Sequence, residues 1–313
     1  MNSGIGFALL AAAIWGGVII GPSLLPEFSS VLISSARFAL YGLISLLIAL
    51  PFASRLFARL TRADLMLLLR LSLAGNVLNY ALLGAAIQLC GVTAGALING
   101  TMPIAITYLA RGDAGSLPLG KLKLPLLMVF LGISSISLGH TASAATGSSL
   151  WSQALGLACG FCAVFSWSWF ATRNARYLRQ SQFNSSEWST LMGIVTGVVA
   201  VLFGAVALLL FPDLMPSQVE SGRWMTFFWV CAYLAFCGSW LANGLWNACS
   251  RRMASSLSGQ LIVMETLFAC VYGFIYTRHF PGLMELLSIS LLVGGVVWAA
   301  SRHRVPAVKL PTC

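Results

Sequence analysis

Charge is scarce in this sequence. Only 8% of its residues are Asp, Glu, Lys or Arg, against about 25% in soluble globular domains. With a mean hydropathy of +0.88, that shortage excludes a soluble enzyme, a disordered chain and a nucleic-acid reader. Histidine is almost missing. The three present, His140, His279 and His303, fall at helix ends or in loops, with no two close in sequence. Catalytic signatures are missing as well: there is no zinc-protease helix motif, no nucleophile elbow, no Walker loop and no paired-aspartate motif. The expectation is therefore a protein that is not an enzyme, with no metal, no cofactor and no ATP-driven step. Cysteine adds little. Most of the eight lie inside apolar runs, where Cys behaves as a small hydrophobe. Cys159 and Cys162 form a C-x-x-C without the second pair that a zinc site needs. Cys313 ends the chain, whereas prenylation requires three residues beyond its Cys. The first residues, Met1-Asn2-Ser3-Gly4, lack a basic region, so the first apolar run reads as a retained span and not a cleaved signal.

What the chain has is long apolar runs. Hydrophobic residues make up 58% of its 313 positions, and a helical span needs ~20 of them, so roughly ten spans fit. Runs between polar breaks predict helices at 5–25, 30–50, 64–86, 92–110, 123–141, 152–172, 188–211, 224–247, 256–277 and 283–301. Continuous apolar runs argue against a β-barrel, whose strands alternate apolar and polar residues. The fold class expected is an all-α membrane protein of ten transmembrane helices. Its partners are then the lipid bilayer and a small-molecule substrate, with no nucleic acid.

Basic residues set the orientation. With the N-terminus in the cytoplasm, fourteen Lys and Arg fall in cytoplasmic loops and the tail, among them Arg55, Arg59, Arg62, Arg173, Arg176 and Arg179. The other side carries two, Arg223 and Arg278, while Arg37 and Arg70 lie within spans. This asymmetry puts both termini in the cytoplasm and explains the net charge of +10 as loops held against an anionic leaflet.

The chain also repeats itself weakly. Residues 86–103 align with 249–266 at a constant offset of 163, and Trp15 and Trp167 hold equivalent places in spans one and six, each followed by a small residue. Five spans per half is an odd number, so the second half enters from the opposite side. Inverted repeats of this kind recur in secondary transporters, with the substrate site near the midplane. The expected units are 1–142, 150–302 and a cytoplasmic tail at 303–313, with 142–150 as the boundary.

Ten spans in a five-plus-five order, Trp15-Gly16 in span one and Arg37 early in span two resemble the EamA branch of the drug/metabolite transporter superfamily over the whole chain. Three segments are similar to the YtfF group of bacterial inner-membrane proteins. They are Trp167 to Arg179, Gly259 to Leu267, and Gly100-Thr-Met-Pro103. The resemblance implies export or exchange of small metabolites, often amino acids, through a central cavity in the bacterial inner membrane. At span nine, where the family often has a proline, this chain has Glu265-Thr266.

Polar residues inside spans are the candidate site. Glu265 lies about ten residues into span nine, where a carboxylate costs ~2.5–3.5 kcal/mol on insertion scales. It is either a contact for a substrate amine or a proton-coupling group, or else a protonated or Arg-paired lock between helices. Arg37 lies ~10 Å along span two from its outer end at 1.5 Å per residue. It either binds a substrate carboxylate, snorkels to the surface, or pairs with Glu27 or Glu285; Arg70 reads as snorkelling. Asn76, Asn79 and Tyr80 form a polar cluster on span three, with Asn99 and Thr101 on span four and Trp240, Asn243, Trp246 and Asn247 on span eight. Singly, such amides glue helices; together they favour a cavity. The substrate-binding set expected is Trp15, Tyr80, Asn99, Trp167, Asn243 and Glu265, with Glu265 and Arg37 as the coupling or ion-pair residues.

The function expected is a secondary transporter exporting a small metabolite such as an amino acid. The alternative is a membrane-embedded enzyme or lipid-handling protein acting on an isoprenoid or lipid, which would show clustered acids or histidines near an interface. For the topology, a cysteine placed at position 145 in a cysteine-free background should label from the outside only. Labelling from the inside alone would overturn the orientation.

Overall fold

The protein, seen in a computed structural model, is described over residues 2–111, 113, 150–277 and 280–302, with isolated positions between 120 and 131. Most of the expected fifth span, the connection 142–149 and the tail 303–313 lie outside the described residues, as do Arg278 and the three histidines.

Every described element is helical. The first half contributes α1 (Asn2–Ile20), α2 (Ser30–Ala49), α3 (Ala53–Ala58), α4 (Arg62–Leu71), α5 (Asn79–Asn99) and α6 (Met102–Leu109). The second contributes α7 (Leu150–Gln180), α8 (Ser185–Leu210), α9 (Ser221–Ala235), α10 (Ala242–Arg252), α11 (Ser255–Leu261), α12 (Val263–Thr277) and α13 (Leu283–Arg302). Six helical stretches are long and apolar enough to cross a membrane, beginning at Ser3, Ser30, Arg62, Trp151, Ser185 and Ser221. Their outer faces carry exposed large apolar side chains, such as Val198, Val201, Leu202 and Val206 on α8. Water would reject such a surface, and a bilayer accepts it.

Helix ends follow local chemistry. Ser29 caps α2, accepting a hydrogen bond from the Leu32 amide at 3.2 Å. Capping boxes start α4 with Thr61 and Asp64, and α8 with Asn184 and Glu187. Pro22 follows Gly21 in a 3-10 turn, Gly21–Leu24, that ends the α1 region.

The interruptions inside the spans were not all expected where they fall. α4 runs into α5 through a π-helical segment, Ser72–Leu78, and α9 runs into α10 through another, Phe236–Leu241. These two segments start 164 and end 163 positions apart, the spacing of the internal repeat. Gly75 and Gly238, 163 positions apart, sit within them. The expected break at 87–91 is helical instead. The chain breaks after Asn99, at Gly100 and Thr101, because Pro103 in the first turn of α6 has no amide to continue the ladder. Span nine breaks at Ile262, between α11 and α12, 162 positions after Gly100.

Packing joins the two ends of the sequence. α2 lies along α8 and α5 along α7, while α1 packs on α10 and α12. The α2–α8 contact is a backbone approach. A Cβ on Gly42 would lie 2.5 Å from the Gly197 Cα, and one on Gly197 would lie 2.6 Å from the Gly42 Cα. Along the same face Gly193 meets Ser45 and Gly204 meets Ser35. Small residues at such positions let helices approach where no hydrophobic force between them exists in lipid.

Gly197→Val should therefore lower stability by about 1–3 kcal/mol through overpacking, read as a fall in Tm of the detergent-solubilised protein. Val198→Leu, one position on and facing lipid, should leave Tm unchanged.

Candidate functional site

The two π segments and residues flanking the two helix breaks, Asn99, Met102 and Glu265, border one central cavity of about 60 Å³. A π-helical turn leaves carbonyls out of the ordinary ladder, which is why such turns recur at functional sites. Here the Gly238 carbonyl accepts a hydrogen bond from Trp15 Nε1 at 2.8 Å. Trp15, Trp167 and Trp246 pack as a trio, with ring centroids 5.5–5.8 Å apart. On the other half, Phe170 of α7 presses against Gly75, and Ser166 Oγ donates to the Ala74 carbonyl at 2.7 Å. Each π segment is thus backed by a helix from the other half.

All seven residues expected at the site, Trp15, Arg37, Tyr80, Asn99, Trp167, Asn243 and Glu265, line this cavity. They do so in different ways. Arg37 does not snorkel: it is 5% exposed, donates from Nε to Ser239 Oγ at 3.0 Å, and lies 4.3 Å from the Tyr80 ring centroid. Nor does it pair with Glu27, whose carboxylate takes two hydrogen bonds of 2.8 Å from Arg223. Those bonds hold the Glu27 carboxyl below its usual range. This clip therefore adds stability above that range, and loses it as pH falls through the lowered value.

Glu265, in the first turn of α12, is held by one long hydrogen bond, 3.4 Å from Asn99 Nδ2 to its Oε1. Among the described residues no ion pair joins Glu265 to Arg37. The other face of the Asn99 amide, Oδ1, is buried without a partner, and so is Tyr80 Oη. Buried polar atoms left unpaired are uncommon and ask for a ligand or a water. Asn76 and Asn79 also line the cavity, but their amides bind Thr196 Oγ1 at 3.0 Å and the Ala163 carbonyl at 2.8 Å, so they join helices.

Access is unequal at the two ends. Pro22 and Ile87 line both the central cavity and a vestibule of about 560 Å³ whose rim carries Glu27 and Asp213. The basic end is closed by polar contacts. Asp113 accepts hydrogen bonds from Arg176 Nε at 2.7 Å and Ser255 Oγ at 3.2 Å. Deeper in, Asn174 donates to Asn247 at 2.8 Å and accepts from Trp188 Nε1 at 2.7 Å. The Gly238 carbonyl and Trp246 escaped the expected set. The paired glycines at the repeat offset were the available signal for the first, and the position of Trp246 three residues after Asn243 for the second.

The chain is a multi-pass, all-helical membrane protein with a polar centre. It is 32% identical over 306 residues to the inner membrane protein YtfF of Escherichia coli strain K12, a match that covers 96% of this chain and 95% of that protein. It belongs to the YtfF family of inner-membrane proteins. A solved structure described only as the crystal structure of a protein superposes with a TM-score of 0.72 at 17% identity, over 97% of this chain and 98% of that one, which is a likeness of fold. No family model matches the chain.

Trp15→Phe keeps the ring and removes the hydrogen bond to the Gly238 carbonyl. It should cost about 1–2 kcal/mol, seen as a lower Tm, whereas Trp151→Phe, exposed at the start of α7, should cost nothing measurable.

Proposed function

We propose that the protein is a secondary transporter that exports a small metabolite such as an amino acid across the inner membrane, by alternating access to the central cavity. The observation that carries this reading is that Arg37 and Glu265 both line the cavity without pairing with each other. Two opposite charges inside a bilayer would ordinarily neutralise one another. Held apart, they match the two ends of a zwitterion: the guanidinium takes a carboxylate through charge-assisted hydrogen bonds, and Glu265 with Asn99 takes an ammonium. The tryptophan trio supplies an apolar and cation-tolerant wall. About 60 Å³ holds roughly two waters, so the cavity must widen to receive a substrate. The vestibule past Pro22 and Ile87 gives the direction of widening.

In this reading the chain is an EamA-type transporter of ten membrane helices, in halves 1–142 and 150–302 of opposite orientation, with both termini cytoplasmic. Support comes from the near-equal spacing, 162–164 positions, of the π segments, of Gly75 and Gly238, and of the breaks at Gly100 and Ile262. The excess of basic residues on one side supports the orientation. The substrate is chemically unchanged, and the work is done by a gradient. A proton and a substrate ammonium compete for the Glu265 carboxylate, which suffices for antiport.

Proteoliposomes loaded with a panel of labelled amino acids, with and without a pH gradient, test the proposal. Efflux of at least one zwitterion is expected. Arg37→Gln and Glu265→Gln should each weaken it roughly 10–100-fold, by the loss of one charged hydrogen bond. Glu265→Gln should also remove any dependence on the pH gradient. Transport that is absent for the whole panel, or unaltered in both variants at normal abundance, would sink the reading. If the single variants destabilise the protein and the double variant recovers, the two residues are a structural pair.

A further inference from the structure

A second large cavity, about 640 Å³, lies at the basic end of the helices between α4 and α7 and shares no lining residue with the central one. Its walls combine Met66, Leu67 and Trp169 with three arginines, Arg70, Arg173 and Arg176. Arg176 is committed, donating from Nε to Asp113 and from Nη2 to the Leu109 carbonyl, both at 2.7 Å. Arg70 and Arg173 have no hydrogen-bond or ion-pair partner among the described residues. Asp64 also lines the cavity, but its carboxylate is taken up by the Thr61 amide and hydroxyl on one oxygen and by Tyr177 Oη at 2.6 Å on the other. Two cations without a direct partner therefore line the cavity, and with Arg176 they outnumber its one carboxylate, Asp64.

The surroundings indicate what kind of anion fits. Met66, Leu69 and Leu73 are exposed at spacings of three and four, so they form one apolar stripe leading from the cavity along α4 into the span. Phe161 and Phe165 are exposed on α7, four and eight residues before Trp169, and form a second stripe on the same helix face as that cavity residue. The cavity sits where both stripes reach the basic loops, the level of lipid headgroups. Basic pockets between membrane helices at this level suit acidic lipid heads.

We propose that this cavity holds the headgroup of an anionic phospholipid, its phosphate between Arg70 and Arg173 and its acyl chains along the two stripes. Free phosphate shares the headgroup chemistry and gains nothing from the stripes. The bound lipid bridges α4 and α7 through Arg70 and Arg173, 103 positions apart in sequence, and braces the contact between them.

The purified full chain in neutral detergent, with phosphatidylglycerol, phosphatidylcholine or inorganic phosphate at matched concentration, tests this by Tm and native mass spectrometry. Phosphatidylglycerol should raise Tm and remain bound, and the other two should do neither. Arg70→Gln with Arg173→Gln should weaken phosphatidylglycerol binding roughly 30-fold, while Arg55→Gln, on a different face of the same end, should leave it unchanged. A shift reproduced by inorganic phosphate alone overturns the lipid assignment, as does an equal shift with phosphatidylcholine. Undiminished binding in the double variant places the lipid elsewhere and overturns the site. Should that variant fail to fold, Leu67→Trp fills the cavity and keeps both charges, and native-like binding there overturns the proposal equally.

Discussion

Inside hydrocarbon a backbone amide or carbonyl has no water to turn to, so each interruption of a helix has to be answered by another part of the protein or by something in a cavity. This chain interrupts its helices at two π segments and at breaks after Asn99 and at Ile262, and residues in or within a turn of all four border the same small space. Some of the freed groups are answered. The Gly238 carbonyl takes the Trp15 indole, and the Ala74 carbonyl takes Ser166. Beside them, two side-chain atoms facing the same space, Asn99 Oδ1 and Tyr80 Oη, are buried without a partner. The rest of the architecture serves to hold these interruptions together: α1 backs one π segment, α7 backs the other, and α2 crosses α8 between them.

Much of this could be read from residue types. Long apolar runs mark helices, and a polar residue in such a run is expensive enough to need a reason. That logic picks out Trp15, Arg37, Tyr80, Asn99, Trp167, Asn243 and Glu265, which the fold brings around one cavity. What stayed hidden has a physical explanation. A π segment inserts one residue into a turn without changing the hydropathy of the run, so nothing in an apolar profile marks it. The polar break at 87–91 separates two apolar runs in the sequence, whereas the missing amide of Pro103 dictates where the ladder ends. Snorkelling was a fair reading of Arg37 from its distance to the surface. It fails because Tyr80, Phe38 and Ser239 surround the guanidinium and leave no path outward.

The two ends of the bundle differ in kind. One is a vestibule rimmed by carboxylates and tied by the Glu27–Arg223 clip. The other is laced shut by Asp113 with Arg176, Arg179 and Ser255, and by the Arg59–Glu187 pair. The lacing is polar and partly exposed, the sort of contact that water can replace at little net cost. The tryptophan trio between the ends is largely apolar, with Trp15 and Trp246 buried and Trp167 partly so, and has no such substitute. In the transport reading proposed above, passage would depend on moving these aromatic rings, while the ends would set which side is open.

The glycine contact between α2 and α8 limits that movement geometrically. Gly193, Gly197 and Gly204 on one helix face Ser45, Gly42 and Ser35 on the other, so the two backbones mesh at three points along one line. Sliding by a full turn, ~5.4 Å, would bring bulkier neighbours into gaps sized for a hydrogen or a hydroxymethyl group. Tilting about the Gly42–Gly197 crossing requires no such exchange. In the alternating-access reading the crossing would act as a fulcrum, with displacement vanishing there and growing along both helices toward the vestibule rim and the basic end.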